Sequence, residues 1–464
     1  MEERQIRLPK ERLLLPGALA CAAKEAIRVG TEMRPPGVSL RDLHEICGAY
    51  NALIDPLVTR DPTLGGIERF FVRLSYEQFP FQLSPFEEVT RPYAMLSVDE
   101  AQGERTEVVD SAFWQGVLHC SIRDFVGVGF LLSVAAQKNQ GWFNETWLRQ
   151  PNFEPIVAEL SASAITNTLR KNFAATIDDL RTAANGARSG DPLLRKYDFN
   201  PLVAHPFVHL EETAFLAPVT PLVLRRASLG GLYYMGLEHL AGNRKKQDAY
   251  TRDIGLLFQS YVGRQLSRIP SAELLPELVD DGGRRSVDWF VVWEDLVLLV
   301  EAKASRLTQE ARAGGDRLES DVRRTIGDAL EQIDRSAAAI KAQEPPYREI
   351  PSDRRLAGLV VTMEPYFFIN TPLVRNFLPT PNIDTIVGSA RELEYFVALS
   401  QDRSGNELIV EVLGDAERRT WDFAVALKAA AATPEHPRNP LLDEVWRVLP
   451  WAEKAQKQEQ MRRE

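Results

Sequence analysis

The sequence has little cysteine, no long apolar run and no excess of positive charge. Its cysteines, Cys21, Cys47 and Cys120, are too few and too scattered for a disulfide framework. No cysteine and histidine cluster has the spacing of a zinc site. The longest apolar stretches are too short to cross a bilayer, and the charged N-terminus leads into no apolar signal core. We therefore expect a protein of the reducing cytoplasm that does not insert into membranes.

The balance of charge restricts the kinds of partner. The chain of 464 residues has 55 Lys and Arg against 65 Asp and Glu, a formal net charge of -10. This balance argues against a protein that coats nucleic acid by bulk electrostatics. With 44% hydrophobic residues the chain can build two or three domains. A protein of this charge that acts on nucleic acid needs a local basic surface or a partner that delivers the substrate.

The most informative stretch is residues 286–303. Two runs rich in Val, Leu and aromatic residues flank the polar pair Glu294-Asp295, which predicts a β-hairpin of buried strands. A turn centred on that pair places Asp288 opposite Glu301, with Cβ atoms about 4.5–5.5 Å apart, where like charges repel unless a cation lies between them. Lys303 follows Glu301 by two residues and so emerges on the same face. The hairpin predicts a site for a divalent metal.

Asp288, followed at the end of the next strand by Glu301-Ala302-Lys303, resembles the active-site signature of the PD-(D/E)xK phosphodiesterase superfamily, the restriction-endonuclease-like nucleases. The resemblance implies that Asp288 and Glu301 hold Mg²⁺ or Mn²⁺, together with the Ala302 carbonyl. It also implies that Lys303 orients or activates the attacking water. Val287 stands where many members of the superfamily have proline. The alternative interpretation is a strand that ends in solvated charges.

Two glutamines extend the candidate catalytic set. In the superfamily, a helix packed behind the active strands often has an acidic residue, and in the predicted helix Asp253–Leu266 that place is occupied by Gln259. A neutral amide cannot replace a carboxylate ligand, but its oxygen can bond a metal-bound water. Gln332, on the predicted helix over residues 316–342, resembles the glutamine or tyrosine that several members place beside the active site. A solvated polar face explains Gln332 equally well.

The positive residues that could contact phosphates form short runs. Arg244, Lys245 and Lys246 are the densest positive stretch before the hairpin, and Arg323 and Arg324 lie on one side of the predicted helix 316–342. We treat all five as candidate nucleic-acid-binding residues. A solvated loop is the other interpretation of the first run, and also of the pair Arg225-Arg226.

The order of elements over residues 250–400, a helix, three strands, a helix and further strands, is similar to the core of the superfamily. We therefore expect an α/β fold, a restriction-endonuclease-like mixed sheet flanked by helices, preceded by a mainly helical N-terminal domain. The sequence predicts four divisions. Residues 1–186 form a partner-binding or sensing domain, and residues 187–249 form a connecting hairpin and helix region. Residues 250–400 form the nuclease-like domain, and residues 401–464 form a C-terminal strand, helix and charged tail.

Several expectations concern the rest of the chain. Residues 67–99, rich in Phe and Pro, predict strands and loops, and residues 408–413 predict a last strand. The apolar spacing over residues 153–184 predicts a long amphipathic helix or helix pair. His205 and His209 are four residues apart, but no carboxylate or thiol signal joins them, so a structural role is favoured over a metal site.

Two functions remain possible. The first is a metal-dependent endonuclease, expected to act on DNA in bacterial anti-phage defence or DNA repair, whose N-terminal half binds a protein partner or a second copy of the chain. The second is a non-catalytic, nuclease-like binding or regulatory module. Intact Asp288, Glu301 and Lys303 favour the first, while Gln259 and the acidic balance keep the second open. The choice between DNA and RNA, the strandedness of the substrate and the number of metals also stay open.

Overall fold

The computed structural model describes residues 15–31, 37–52, 64–78, 81, 84–97, 106–188, 195, 197–432 and 437–451. Inter-residue contacts divide the chain into two compact units. The first comprises Met1–Tyr93, Ala112–His239 and Val448–Glu464, and the second comprises Ala94–Ser111 and Leu240–Arg447. Each unit is therefore assembled from segments that are distant in sequence.

The described part of the first unit is mainly helical. Its helices, two of which extend a few residues into the segment Ala94–Ser111, are α1 (Pro16–Val29), α2 (Leu40–Asn51), α3 (Leu64–Gln78), α4 (Pro85–Leu96), α5 (Ser111–Leu118), α6 (Ile122–Lys138), α7 (Glu154–Leu160), α8 (Ala162–Thr168), α9 (Ile177–Gly186), α10 (Pro221–Ala227) and α11 (Leu229–His239). The start of α2 matches the sequence signal, because the Ser39 hydroxyl accepts a hydrogen bond from the Asp42 N–H and the Asp42 carboxylate accepts one from the Ser39 N–H.

A small sheet completes the first unit. It has four strands in the order β1-β4-β3-β2. They are β1 (Trp142–Asn144), β2 (Ala174–Thr176), β3 (Phe207–Glu211) and β4 (Ala214–Leu216). The hairpin of β3 and β4 agrees with the hairpin expected in this region. Because β3 also pairs with β2, and β4 with β1, residues up to His239 belong with the first unit. This division differs from the predicted boundary at residues 186–187.

Helices α5 and α6 contain the most apolar stretch of the described chain. The span Ser111–Lys138 is long and apolar enough to cross a membrane by length and composition alone, with a mean hydropathy of 1.5. More than half of its apolar window, 56%, is buried within the protein. The chain also breaks between the two helices, where Ser121 caps α6 by accepting a hydrogen bond from the Asp124 N–H. Burial and the break between the two helices are typical of core helices.

The second unit is built on a five-stranded mixed sheet in the order β5-β6-β7-β8-β9. The strands are β5 (Glu273–Pro276), β6 (Trp289–Val292), β7 (Leu296–Lys303), β8 (Arg355–Thr362) and β9 (Thr385–Ser389). The pairs β5–β6 and β6–β7 are antiparallel, whereas β7–β8 and β8–β9 are parallel. Residues 296–300 are fully buried, which explains why β7 reads as a continuous apolar run. The predicted mixed α/β class is confirmed.

Helices surround this sheet. They are α12 (Arg244–Leu266), α13 (Gln309–Arg312), α14 (Arg317–Val322), α15 (Asp328–Lys341), α16 (Pro372–Arg375), α17 (Ala390–Leu399), α18 (Gly405–Gly414), α19 (Phe423–Ala431) and α20 (Pro440–Trp446). Both α12 and α15 contact β7, the central strand. A π-helical turn at Arg323–Gly327 joins α14 to α15, so the helix predicted over residues 316–342 is present but interrupted.

Two predicted strand regions are helical, and each error has a physical reason. Residues 67–99 hold α3 and α4, although their aromatic and β-branched residues favour strands by propensity. Residues 408–413, predicted as a strand, lie within α18. There the buried residues Leu408, Ile409, Val412 and Leu413 recur at the spacing of one helical face. In both segments tertiary burial overrides the local preference for β structure.

The long helix predicted over residues 153–184 is divided into α7, α8, a π-helical turn at Leu169–Phe173, strand β2 and α9. The break between α7 and α8 falls at Ser161, whose φ of 58° lies in the left-handed region and whose hydroxyl caps α8. The predicted charged tail at residues 453–464 lies outside the described residues.

Candidate metal-binding active site

The β6–β7 hairpin has the register expected from the sequence. Trp289 lies opposite Val300 in the antiparallel ladder, so the preceding residue, Asp288, faces Glu301. The Lys303 Nζ donates a hydrogen bond to Glu301 Oε1 at 2.6 Å, which shows that these two side chains share a face. Asp288 and Glu301 are only 8% and 3% exposed. The predicted convergence of Asp288, Glu301 and Lys303 is thus confirmed.

A β-bulge aims Asp288 at the end of β7. Trp289 pairs with Pro276, whereas the next bridge along the chain joins Val279 to Arg285, so three residues on one strand oppose two on the other. Such an extra residue bends the strand and redirects side chains. The Asp288 Oδ2 accepts a hydrogen bond from the Ala302 N–H at 2.7 Å. The carboxylate is therefore held against the backbone between Glu301 and Lys303.

Helix α15 holds the backbone of this bulge. The Gln332 Nε2 donates to the Ser286 carbonyl at 2.6 Å, and the Val287 N–H donates to the Ser336 Oγ at 3.1 Å. Buried main-chain groups need such partners, and the bulge removes the usual ones from the ladder. The same bond explains why position 287 is valine and not the proline of many superfamily members, because a proline would have no N–H to donate to Ser336. Gln332 therefore lies beside the site, as the resemblance implied, and its observed contact is to the main chain.

The electrostatics of the pair favour a bound cation. Burial raises the pKa of Asp288, an effect that the Ala302 N–H and the Lys303 charge oppose. Burial also raises the pKa of Glu301, and the negative charge of Asp288 raises it further. The Glu301 Oε2 is buried without a hydrogen-bond partner in the described structure. The two carboxylates are thus short of compensating positive charge, even with Lys303 beside them.

The donor set suits a hard cation that keeps part of its water shell. The Ala302 N–H points to the Asp288 side, and in a strand the C=O of a residue points to the same side as its N–H, so the Ala302 carbonyl lies there too. Within the described ranges, no group of three or more His, Cys, Asp and Glu side chains is arranged to hold a metal. Two carboxylates and a carbonyl fit Mg²⁺, which binds through one or two carboxylates and retains several waters.

Glu277 is a third acidic residue near the site that sequence reasoning missed. It follows Pro276, the partner of Trp289, and its negative charge contributes to raising the pKa of Asp288. Arg285 forms an ion pair with it at 3.2 Å, and burial raises the pKa of Glu277 itself. The position of Glu277, one residue beyond the end of β5, was the available sequence signal for its nearness to the site. The bulge that brings Glu277 close to Asp288 cannot be predicted from the sequence.

Gln259 reaches the site through the backbone of α12. Its carbonyl accepts a hydrogen bond from the Trp289 Nε1 at 3.0 Å, and Trp289 follows Asp288 directly. One helical turn further, a Cβ on Gly263 would lie 2.3 Å from Trp289 Cζ2. Glycine is thus required for α12 to approach the start of β6 this closely. The Gln259 side chain is half-buried.

The predicted basic run Arg244, Lys245 and Lys246 lies at the opposite end of α12. All three residues are exposed, and Arg244 pairs with Asp248 at 3.0 Å. Arg244 precedes Gln259 on one continuous helix, and at 1.5 Å per residue the separation along the axis is about 22 Å. The structure therefore does not bring this run to Asp288, and any contact with nucleic acid there would be remote from the site.

The other predicted phosphate-contacting pair, Arg323 and Arg324, is exposed on the π-helical turn before α15. Arg323 lies 3.5 Å from Glu319 and Arg324 lies 3.5 Å from Asp321. Each positive charge is therefore partly compensated by an acidic residue one helical turn earlier. Both side chains remain accessible to a ligand.

Two residues of the first unit that were considered as candidates have structural roles. Arg226 is 6% exposed and its Nε donates to the Asn172 carbonyl at 3.0 Å, and burial lowers its pKa to about 10. The solvated-loop interpretation is therefore wrong for Arg226. The His209 ring stacks on Phe215 with centroids 4.6 Å apart, which agrees with the structural role favoured for the histidines.

A buried arginine cluster lies at the same sheet edge as Lys303 and was also missed. Strands β7 and β8 run parallel, with Lys303 opposite Thr362, so the chain following each strand starts at one edge. There Arg306 and Arg312 both pair with Glu364, Arg312 at 2.6 Å. Arg306 is almost fully buried. Arg306 and Arg312 follow β7, the strand that contains Glu301 and Lys303, unlike the basic runs identified from the sequence.

Comparison of the chain with protein-family models and with curated proteins finds no match. The interpretation of the site therefore depends on the register, burial and contacts described above.

Proposed function

We propose that the protein is a metal-dependent nuclease that hydrolyses phosphodiester bonds, with Asp288, Glu301 and Lys303 at its active site. The observation that carries this proposal is the buried pair of opposed carboxylates, with an unsatisfied Glu301 oxygen and a lysine ammonium 2.6 Å from the other oxygen. A structural strand end has no need to bury two facing carboxylates, because desolvation disfavours both charges. A site that binds a cation during function does need them.

The topology of the second unit supports the same proposal. An antiparallel β5-β6-β7 meander followed by the parallel strands β8 and β9, with α12 preceding the sheet and α14 and α15 between β7 and β8, is similar to the restriction-endonuclease-like core. In that fold the residues equivalent to Asp288 and Glu301-Ala302-Lys303 occupy the corresponding positions. We propose this fold for the unit on the basis of topology and signature together.

The chemistry assigns each residue a distinct task. Asp288, Glu301 and the Ala302 carbonyl would hold Mg²⁺ or Mn²⁺, and the bound cation would supply electrostatic stabilisation of the charge that develops on the phosphate. Lys303, anchored by Glu301, orients the water that attacks phosphorus in line with the leaving oxygen. A bond forms between the water oxygen and phosphorus while the ester P–O bond breaks. The attacking water releases a proton to solvent, and the leaving oxygen takes one up from solvent. Gln332 and Ser336 act as positioning residues through the bulge.

DNA is the substrate that we propose, in the cytoplasm and in anti-phage defence or repair. Arg306 and Arg312 are placed to compensate phosphate charge near Lys303 if Glu364 releases them. The exposed Arg323 and Arg324 could extend the contact along the same helix pair. With a net charge of -10, the chain would need such local groups. The first unit would bind a partner or a second copy.

The test compares three variants for cleavage of supercoiled plasmid and single-stranded DNA with Mg²⁺, Mn²⁺ or EDTA. Lys303→Met and Asp288→Asn should each lower single-turnover cleavage by about 10²–10⁴-fold, the range expected for the loss of one catalytic group. Lys341→Met, which removes a lysine at the exposed end of α15, should leave cleavage unchanged. DNA affinity of Lys303→Met should stay within a few-fold of wild type, because the substitution removes one of several phosphate contacts.

The second candidate function is a non-catalytic, nuclease-like binding or regulatory module. It is favoured by Gln259, which is neutral where many nucleases of the superfamily have an acidic residue, and by the acidic net charge. If wild type cuts neither DNA nor RNA with either metal, and calorimetry finds no divalent-ion binding that Asp288→Asn abolishes, this second function should replace the first.

A further inference from the structure

The first unit contains a cavity of about 590 Å³ between α6 and residues 147–156. Its walls are apolar and include four aromatic rings, those of Phe130, Trp147, Phe153 and Trp451. The volume lies within the range of about 300–1,000 Å³ that is typical of small-molecule sites. The cavity belongs wholly to the first unit and has no residue in common with the candidate nuclease site.

The wall of the cavity formed by residues 448–451 is held in place by one face of α6, which contacts it at three successive positions. The Arg123 Nε donates to the Val448 carbonyl at 2.9 Å. Four residues later, a Cβ on Gly127 would lie 2.8 Å from Pro450 Cγ, so glycine allows the close approach. Phe130 then contacts Trp451 with ring centroids 4.5 Å apart. Spacings of four and three residues place all three side chains on one helical face.

The opposite wall is also anchored. The Trp147 ring meets the fully buried Phe143 edge-on with centroids 6.0 Å apart, and the Gln150 N–H donates to the Trp147 carbonyl at 2.9 Å. Trp147 is only half-buried, so its ring is fixed on the core side and accessible on the other. A fixed aromatic face presented to a cavity attracts flat π-systems, which gain both area burial and ring contact.

The described lining has few polar groups, and none of them is acidic. Lys138 is the only ionisable residue among the described residues that line the cavity, and the other polar groups are the amides of Asn139, Gln150 and Asn152. Lys138 lies in the last turn of α6 and is exposed, so its ammonium can reach the mouth without disturbing the core. Among the lining residues that the structure describes, none has a carboxylate that could attract a cation.

We propose that this cavity binds a small molecule with a planar aromatic body and a single anionic group. The aromatic body packs among the rings of Phe130, Trp147, Phe153 and Trp451, and the anionic group is placed at the mouth, where Lys138 contacts it. An aromatic cage can also attract a cation through the ring faces. The lysine and the lack of an acidic residue oppose that alternative. The site is independent of the proposed nuclease activity and would give the first unit a ligand of its own.

The test uses three matched probes with the full chain: naphthalene-2-sulfonate, the neutral naphthalene-2-sulfonamide and the cationic 2-naphthyltrimethylammonium ion. The protein is labelled with 5-fluorotryptophan, and its eight Trp resonances are assigned with Trp→Phe variants. In ¹⁹F NMR titrations the sulfonate should shift the resonances of Trp147 and Trp451. The resonance of Trp142, which is exposed on β1 and does not line the cavity, should not move.

The affinity order should be sulfonate, then sulfonamide, then the cation. At low salt the sulfonate should bind about two- to fivefold more tightly than the sulfonamide, as expected for one solvent-accessible ion pair. Lys138→Met should abolish this difference, and Lys138→Arg should keep it. Because Lys138 is exposed, neither substitution should affect folding.

A second variant tests the cavity itself without the lysine. Ile156→Trp places a larger side chain in the half-buried lining and should weaken binding of the sulfonate and of the sulfonamide equally. The proposal is wrong if none of the probes binds at millimolar concentration, if the shifts spread to Trp142 and other tryptophans outside the cavity, or if the cation binds most tightly. Equal affinity of wild type for sulfonate and sulfonamide would overturn the anionic part of the proposal.

Discussion

Glu301 costs the metal-free protein stability. It is buried at the end of β7, its Oε2 has no hydrogen-bond partner in the described structure, and Asp288 presents a second negative charge to it. Lys303 compensates only part of this cost, because the pKa of Glu301 remains raised despite the ion pair. Groups that must bind a ligand are often left in such an unfavourable state in the free protein.

The replacement Glu301→Gln should therefore stabilise the metal-free protein at neutral and alkaline pH by about 1–3 kcal/mol, because the neutral amide carries no charge that burial and Asp288 disfavour. The sign follows from proton binding. Between the ordinary pKa of a glutamate and its raised pKa in the fold, the folded chain keeps a proton that the unfolded chain has released. Stability of wild type should thus fall as pH rises through that window, and the variant should lose this part of the pH dependence.

Urea unfolding in EDTA at several pH values between 4 and 9 measures this effect. Glu331→Gln is the matched control, since Glu331 is an exposed carboxylate on α15 whose pair with Arg335 spans 4.0 Å. The control should change the free energy of unfolding by only a few tenths of a kcal/mol. A Glu301→Gln variant that is less stable than wild type at pH 8 would mean that Lys303 and Glu301 form a net stabilising pair.

Residue-scale prediction from the sequence succeeds where contacts are local. Asp288, Glu301 and Lys303 belong to one short hairpin, so period-two alternation and a centred turn are sufficient to bring them together. The bonds of Gln332 and Ser336 to the bulge join residues more than forty positions apart in the chain. No local pattern encodes such a bond, and therefore the support of the site is visible only in the structure.

At the scale of elements, the approach of α12 to β6 sets the position of Asp288. Gly263 allows the indole of Trp289 to lie against the helix, with its Nε1 bonded to the Gln259 carbonyl. Trp289 is covalently next to Asp288. A displacement of the indole should therefore be transmitted to the Asp288 carboxylate.

Gly263→Ala tests this coupling. The added methyl would lie 2.3 Å from Trp289 Cζ2, so the ring must shift, and we expect a loss of about 1–3 kcal/mol in the free energy of unfolding. Mn²⁺ affinity, measured by calorimetry, should fall as well. Gly255→Ala on the same helix is the control, because no described atom apart from its chain neighbours and the adjacent helix backbone lies within 4 Å of its added Cβ. It should stabilise the protein by about 0.5–1 kcal/mol through helix propensity. Equal effects of the two substitutions would contradict the coupling.

Element prediction fails where burial and propensity conflict. Strand β7 was predictable because the continuous apolar run over residues 296–300 suits a central strand and its β-branched residues favour β structure. The apolar run in α18 has a similar composition but is buried along one helical face instead. A short apolar run does not distinguish these outcomes by periodicity. The elements that pack against such a run determine whether it forms a strand or a helix, and the sequence does not identify those elements.

At the scale of the whole molecule, the second unit extends far beyond the predicted nuclease-like range of 250–400. It includes Ala94–Ser111 and residues up to Arg447. Asp253 joins the first of these segments to α12, because its carboxylate accepts hydrogen bonds from the N–H groups of Glu107, Val108 and Val109, at 3.0, 2.6 and 2.9 Å. Asp253 is 3% exposed. On the sequence it is an ordinary acidic residue of an amphipathic helix, and its partners lie more than 140 residues earlier.

Asp253→Ala in the full chain should therefore lower the free energy of unfolding by about 2–4 kcal/mol, because three N–H groups, of which that of Val109 is buried, lose a charged acceptor. Asp248→Ala on the same helix removes an exposed carboxylate that pairs with Arg244 and should cost less than about 0.5 kcal/mol. The local readout is amide hydrogen exchange. In Asp253→Ala the amides of residues 107–109 should exchange faster by an order of magnitude or more, while those of β7 change only with global stability. If the amides of residues 107–109 remain as protected as in wild type, another contact holds the segment, and Ala94–Ser111 would be part of the second unit for a reason other than Asp253.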